Sequence, residues 1–210
     1  MKSKSPKSRP SCDINITDFW LGGFTDGDGT FSTSKLVPRL KYENHIKELE
    51  LFFKIQEYLK SGKLIITKPR LDRPGSNATV VLEFNVIYVL KSLIIPLFSR
   101  HLFHINPDGG ASFPFTGDIL EINPISFLES KDFSVLQTKK LKDFCDWSII
   151  VIIVFYGYHR LPEGISIINE LKKRMNNFRL TTNFNAVKLE NNISITSKLL
   201  NLLAIPAPDI

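Results

Sequence analysis

Cysteine is scarce in this chain: Cys12 and Cys145 are the only two in 210 residues, far apart, the first in a Lys/Ser/Pro-rich start and the second in an apolar run. Two such thiols imply no disulfide framework and suit a reducing compartment. Long apolar runs are missing too. The most apolar stretch, SIIVIIVFYGY from Ser148, is shorter than a membrane span and is flanked by Asp146, His159 and Arg160, so it reads as a buried helix and no membrane partner is expected. The opening MKSKSPKSRP has no apolar segment. No secretory signal is expected there, and residues 1–15 read as a disordered basic tail or the remnant of a processed precursor. Zinc chemistry is equally short of ligands: His101 and His104 fall at helical spacing, but no Cys or carboxylate completes a set, and they read as surface or loop residues. Acid is the minority charge, with 21 Asp and Glu against 27 Lys and Arg, a formal +6 and a pI near 9.3. That balance favours an anionic partner, nucleic acid first.

What is present suits one domain with appendages, since 43% hydrophobic residues can bury a proper core. Residues 16–28 predict a helix with Thr17 or Asp18 near its cap, and a strand follows over Thr30–Leu36, ended by Pro38. RLKYE predicts a second strand. HIKELELFFKIQEYLK places Ile46, Leu49, Phe52, Phe53, Ile55 and Leu59 at helical spacing before Ser61-Gly62 stops the run. KLIITKPR and ATVVLEFN predict paired strands around RPGSN, with Val80, Leu82 and Phe84 on one face and Thr79, Val81 and Glu83 on the other. VIYVLKSLIIPLFSRH predicts a helix kinked or ended at Pro96, residues 101–135 a loop insertion, and two further helices run from Thr138 to about Tyr158 and from Pro162 to about Asn176. The order α-β-β-α-β-β-α is an α+β pattern, a curved antiparallel sheet with helices on one face.

One stretch, WLGGFTDGDGTF over Trp20–Phe31, breaks the ordinary rules of a helix. Glycine in a helix interior costs roughly 0.5–1 kcal/mol against alanine, so Gly22 and Gly23 together call for a close approach by another backbone. Asp26 and Asp28 stand at the unfavourable end of the helix dipole, which a cation would offset. A calcium loop of the EF-hand kind would need glycine at its sixth position and glutamate at its twelfth, where Phe31 and Val37 stand. A plain turn after the helix is the remaining alternative.

WLGGFTDGDGTF resembles the LAGLIDADG motif of homing endonucleases, with Leu21 to Gly29 on its nine positions and the family's element order behind it. ENHIKELELFFKIQEYLKSGKLII, LQTKKLKDFCDW and LPEGISIINELKKRMNN extend the resemblance over roughly residues 16–180, leaving 181–210 as a C-terminal extension. The chain is most similar to single-motif, intron-encoded members from organelle genomes, which implies the mitochondrion as its location. In that family two motif helices pack side by side through small residues, here Gly22 and Gly23. Asp28 matches the metal-binding catalytic acid, the Gly27 carbonyl a metal ligand, and Asp26 a more structural acid that braces the helix junction. The implied metal is Mg2+. Family enzymes carry a basic residue near the site at the start of a late helix, for which Lys139 and Lys140 are both candidates. Asn44 stands where relatives often have a water-positioning Gln.

The resemblance also implies a double-stranded DNA target read by the sheet face opposite the helices. Ser32, Ser34, Arg39, Lys41, Lys63, Thr67, Lys68, Arg70, Arg73 and Asn77 suit that face by type and location, each as much a phosphate contact or a solvated strand residue as a reader of bases. With one motif visible, a complete site needs a second chain, hence a homodimer. The expected activity is site-specific, metal-dependent hydrolysis of DNA. The alternatives are a maturase that binds intron RNA and an inactive DNA-binding relative. NISITSKLLNLLAIPAPDI is apolar, then Pro-rich, and resembles the point at which related reading frames continue.

Overall fold

The computed structural model describes residues 14–69, 75–99, 104–105, 111–112, 135–136, 138–175 and 195–208. Thr17 opens α1 (Asp18–Asp28), its hydroxyl accepting the Trp20 amide at 3.2 Å. The helix passes straight into β1 (Gly29–Ser34), and the Gly29 amide donates to the Thr25 carbonyl. A Cβ on Gly29 would lie 2.7 Å from that carbonyl oxygen, so the abrupt change from helix to strand needs a glycine.

β1 turns back into β2 (Val37–His45) through Lys35 and Leu36, at φ 48° and 64°. Two successive left-handed residues match the twist of a tight hairpin, so the expected first strand is shorter at its end and Pro38 does not stop it. Pro38 lies inside β2 opposite Thr33, while β4 (Thr79–Phe84) pairs with β2 only from Leu40 onward. Proline therefore sits where the strand has a single neighbour, the place that tolerates a missing N–H.

A 3-10 turn, Ile46–Glu48, leads into α2 (Leu49–Leu59), which ends at left-handed Lys60. β3 (Lys63–Thr67) then pairs with β4, giving one antiparallel sheet in the order β1-β2-β4-β3. β3 stops short of the expected KPR residues, and Arg70 and Arg73 lie outside the described residues. Beyond β4 come α3 (Ile87–Val89), a π turn (Leu90–Ile94) and α4 (Ile95–Ser99). The helical run thus passes Pro96 without ending, and the widened π turn ends two residues before the proline that cannot donate to the ladder. Most of 101–135 lies outside the described residues; within it, β5 (His104–Ile105) and β6 (Ala111–Ser112) pair antiparallel.

α5 (Lys140–Phe155) starts two residues later than the sequence suggests, and its C-terminal Gly157 is left-handed, at φ 78°. A short turn at Tyr158–Arg160 precedes α6 (Pro162–Arg174), and residues 195–203 form α7. Alternation along the strands sorts the sheet: Phe31, Leu40, Tyr42, Val80, Leu82 and Phe84 are buried towards the helices. Phe31 packs its ring 5.0 Å from Trp147, 5.5 Å from Phe144 and 6.2 Å from Phe98, so β1 is fixed on α5 and α4. Ile195, Leu199 and Leu202 of α7 join the same core. Among the described residues no helix is long and apolar enough to cross a membrane.

Candidate functional site

α1 is held from behind. Thr25 donates to the Leu21 carbonyl or shares its hydroxyl with that of Tyr42, each at 2.7 Å, in a fully buried pair that ties the helix to β2. Burial pushes the Tyr42 phenol above its usual range, because the charged form would lose its water. With Gly29 opposite Tyr42 in the hairpin, Asn44 lies two residues farther along β2 and level with the end of α1.

Asp28 is the last residue of α1 and its carboxylate is exposed. Asn44 Nδ2 donates to Asp28 Oδ2 at 3.4 Å, a long bond, while Asn44 Oδ1 accepts the His45 amide at 2.8 Å. The second bond fixes the amide's orientation, so its NH2 group faces the carboxylate. The start of α5 clasps the same corner. Thr138 Oγ1 donates to Asp26 Oδ1 at 2.9 Å and accepts the Lys140 amide at 3.1 Å, and Lys140 Nζ donates to the Gly29 carbonyl at 2.6 Å. Of the two candidate lysines, Lys140 is therefore the one whose ammonium reaches the end of α1, where a cation is favoured by the exposed carbonyls; Lys139 is exposed at the helix start. Asp26 is engaged by Thr138, and Asp28 stays open to solvent beside it.

The two glycines of the motif differ. A Cβ on Gly22 would lie 2.6 Å from the Val135 carbonyl oxygen, so its close contact is made within the chain. Gly23 and Gly27 would meet nothing within 4 Å. With Phe19, 67% exposed, they form an open stripe at positions four apart along α1, running down to Asp28. Among the described residues no three His, Cys, Asp or Glu side chains gather closely enough to hold a metal. One chain supplies a single open carboxylate and the Gly27 carbonyl, oxygen donors of the kind a largely hydrated magnesium ion takes.

Strand register gathers most of the expected DNA-facing residues. Ser34, Ser32 and Thr30 stand opposite Val37, Arg39 and Lys41; Lys41, Glu43 and His45 stand opposite Glu83, Val81 and Thr79; these in turn face Lys63, Ile65 and Thr67. All share the face turned away from the helices. Lys68 follows β3 and Asn77 precedes β4, both exposed in the connection. The sequence places Glu83 on this face but does not reveal that its acids pair with the cations. Arg39 pairs with Glu83 at 3.0 Å and Lys41 with Glu43 at 2.5 Å. Position alone was legible, because Glu43 and Glu83 alternate in phase with the basic residues. Thr138, two residues before Lys140, was missed because a lone threonine before a helix looks like an ordinary cap.

No protein-family profile matches the chain. Among solved structures, the homing endonuclease I-TnaI is similar with a TM-score of 0.53 and 18% identity, covering 90% of this chain and 99% of that one. The meganuclease I-SmaMI, solved bound to uncleavable DNA, gives 0.53 and 20% identity over 78% of this chain and 46% of its own. The LAGLIDADG meganuclease I-AabMI, bound to uncleaved DNA, gives 0.51 and 22% identity over 77% and 45%. The chain thus spans about half the length of I-SmaMI and I-AabMI. The architecture is that of the LAGLIDADG homing endonucleases, an α+β fold on a four-stranded antiparallel sheet.

Proposed function

We propose that the protein is a site-specific double-strand DNA endonuclease of the mitochondrial matrix, hydrolysing phosphodiester bonds with magnesium as a two-fold homodimer. One observation carries this reading: the exposed Asp28 carboxylate lies at the foot of an open small-residue stripe on α1 and beside a polar, cation-bearing sheet face. The DNA seen with I-SmaMI and I-AabMI supports the choice of partner.

In the dimer the two stripes meet and bring the two Asp28 side chains together, completing what one chain lacks. Asp28 and the Gly27 carbonyl would hold magnesium, which when bound activates water and offsets charge on the leaving oxygen. The remaining groups prepare that corner. Asn44 orients the carboxylate, Thr138 engages Asp26 and so braces the junction, and Lys140 places positive charge at the end of α1. The decisive experiment incubates the full chain with DNA spanning the host gene's intron-insertion site, with cleavage assayed in magnesium and binding in calcium. We expect a double-strand cut at one site and an affinity that falls steeply with salt as phosphate contacts release counterions. Preference for folded intron RNA over that DNA, with no magnesium-dependent cut, would replace the endonuclease with an RNA-binding maturase.

The glycine pair gives a sharper test of the dimer. Gly22→Leu should destabilise the folded chain by about 1–3 kcal/mol through its clash with Val135. Gly23→Leu should leave the melting temperature near that of the parent and weaken self-association, because its side chain enters only the open stripe. Sedimentation and thermal melts separate the two, and unaltered association of the Gly23 variant would remove α1 from the interface.

A further inference from the structure

Glu83 stands at the middle of the sheet face that the proposed function assigns to DNA. It faces Lys41 directly across β2 and Lys63 directly across β3, and it accepts from Arg39 at 3.0 Å. Its side chain is 13% exposed, against 38% for Arg39, so the carboxylate lies beneath the cations it faces. A carboxylate in that position works against affinity for a phosphate backbone, since it repels phosphate and occupies a cation that would otherwise neutralise one. Arg39 Nε is buried and makes no hydrogen bond among the described residues. Among the described residues one Arg39 donor is therefore unmet, and a ligand that draws the guanidinium outward would meet it.

We infer, resting on the DNA-binding reading above, that Glu83 sets sequence selectivity by holding Arg39 away from non-cognate phosphate. A random duplex must break the Arg39–Glu83 pair to gain one phosphate contact and leaves a carboxylate unpaired beside the backbone. A cognate major groove offers both partners at once. Guanine O6 and N7 accept from arginine, and the cytosine N4 amine donates to glutamate. The pair is thus matched to G·C-containing steps and opposed to everything else, with discrimination built from a cost as well as a gain.

The test selects bound sequences from a randomised 30-base-pair duplex pool in calcium, and measures affinity for the unselected pool across a salt series. Glu83→Gln should bind the unselected pool about 3- to 10-fold more tightly, with a log–log salt slope steeper by about one unit, and should lose G·C preference at one or two selected positions. Arg39→Gln should weaken pool binding, and adding Glu83→Gln to it should recover part of the loss. A merely structural ion pair would lower the melting temperature of both single variants and move neither the salt slope nor the selected motif. Should the Glu83 variant fail to fold, the Arg39 variant still decides: a selected motif that keeps its G·C positions overturns the inference. If the parent protein selects a motif and Glu83→Gln keeps the same motif, pool affinity and slope, the role of Glu83 falls alone. If the parent selects no duplex at all, the DNA reading falls and takes this inference with it.

Discussion

Asp28→Asn should abolish cleavage while leaving the fold and DNA binding in calcium almost unchanged. The side chain is exposed, and its single described hydrogen bond is the 3.4 Å contact from Asn44. An isosteric amide removes the charge at little structural cost. A group that stabilises developing charge is commonly worth about 10²–10³ in rate when removed, and the proposed dimer would lose two, so a loss of roughly 10³-fold or more is expected. Single-turnover cleavage in magnesium, with the melting temperature and calcium-supported affinity as controls, measures it. Retained cutting by the variant would sink the assignment of Asp28. Lys140→Ala should act more mildly through the same corner, since it loses the 2.6 Å bond to the Gly29 carbonyl but no carboxylate.

The largest expected effect on stability belongs to Phe31→Ala. Phe31 is fully buried, three residues beyond the end of α1, and touches rings from three positions on two other elements. Truncating a buried phenylalanine typically costs about 3–5 kcal/mol in lost transfer energy and cavity, a large part of the roughly 5–15 kcal/mol that holds a domain together. At this size the melting temperature should drop by roughly 10 °C. A drop of only a degree or two would mean that β1 is not anchored on α5. Loss of function by this route should be accompanied by loss of structure, which distinguishes it from Asp28→Asn.

Much of this fold was legible because its signals are local. The pattern of α2, the alternation along β4 and the glycines around Asp26 and Asp28 each declare an element or a joint within a few residues. Errors arose where a neighbour decides the outcome. Pro38 looked like a strand terminator, but β2 tolerates it because β4 has not yet joined at that level. Pro96 left a kink or an end open, and only the structure shows the helical run passing it, with a π turn over Leu90–Ile94 shortly before. The choice between Lys139 and Lys140 needed the direction in which α5 leaves its first turn, which adjacent lysines cannot encode. Gly22 and Gly23 seemed equivalent, and only the position of Val135 tells them apart. Likewise the cations of the sheet face were found by type, whereas the acids that restrain them emerged from register between strands far apart in the chain.

The clasp of α5 on α1 also orders events in time. Thr138 and Asp26 are 112 residues apart, and Lys140 and Gly29 are 111 apart. At about 5–20 residues per second of synthesis, the two halves of this corner emerge on the order of 10 s apart. Until then the first hairpin carries Asp28 without its brace, and closing so long a loop is among the slower steps of folding. The corner around Asp28 is thus one of the last parts of the molecule to be assembled, although the residue at its centre is among the first to be made.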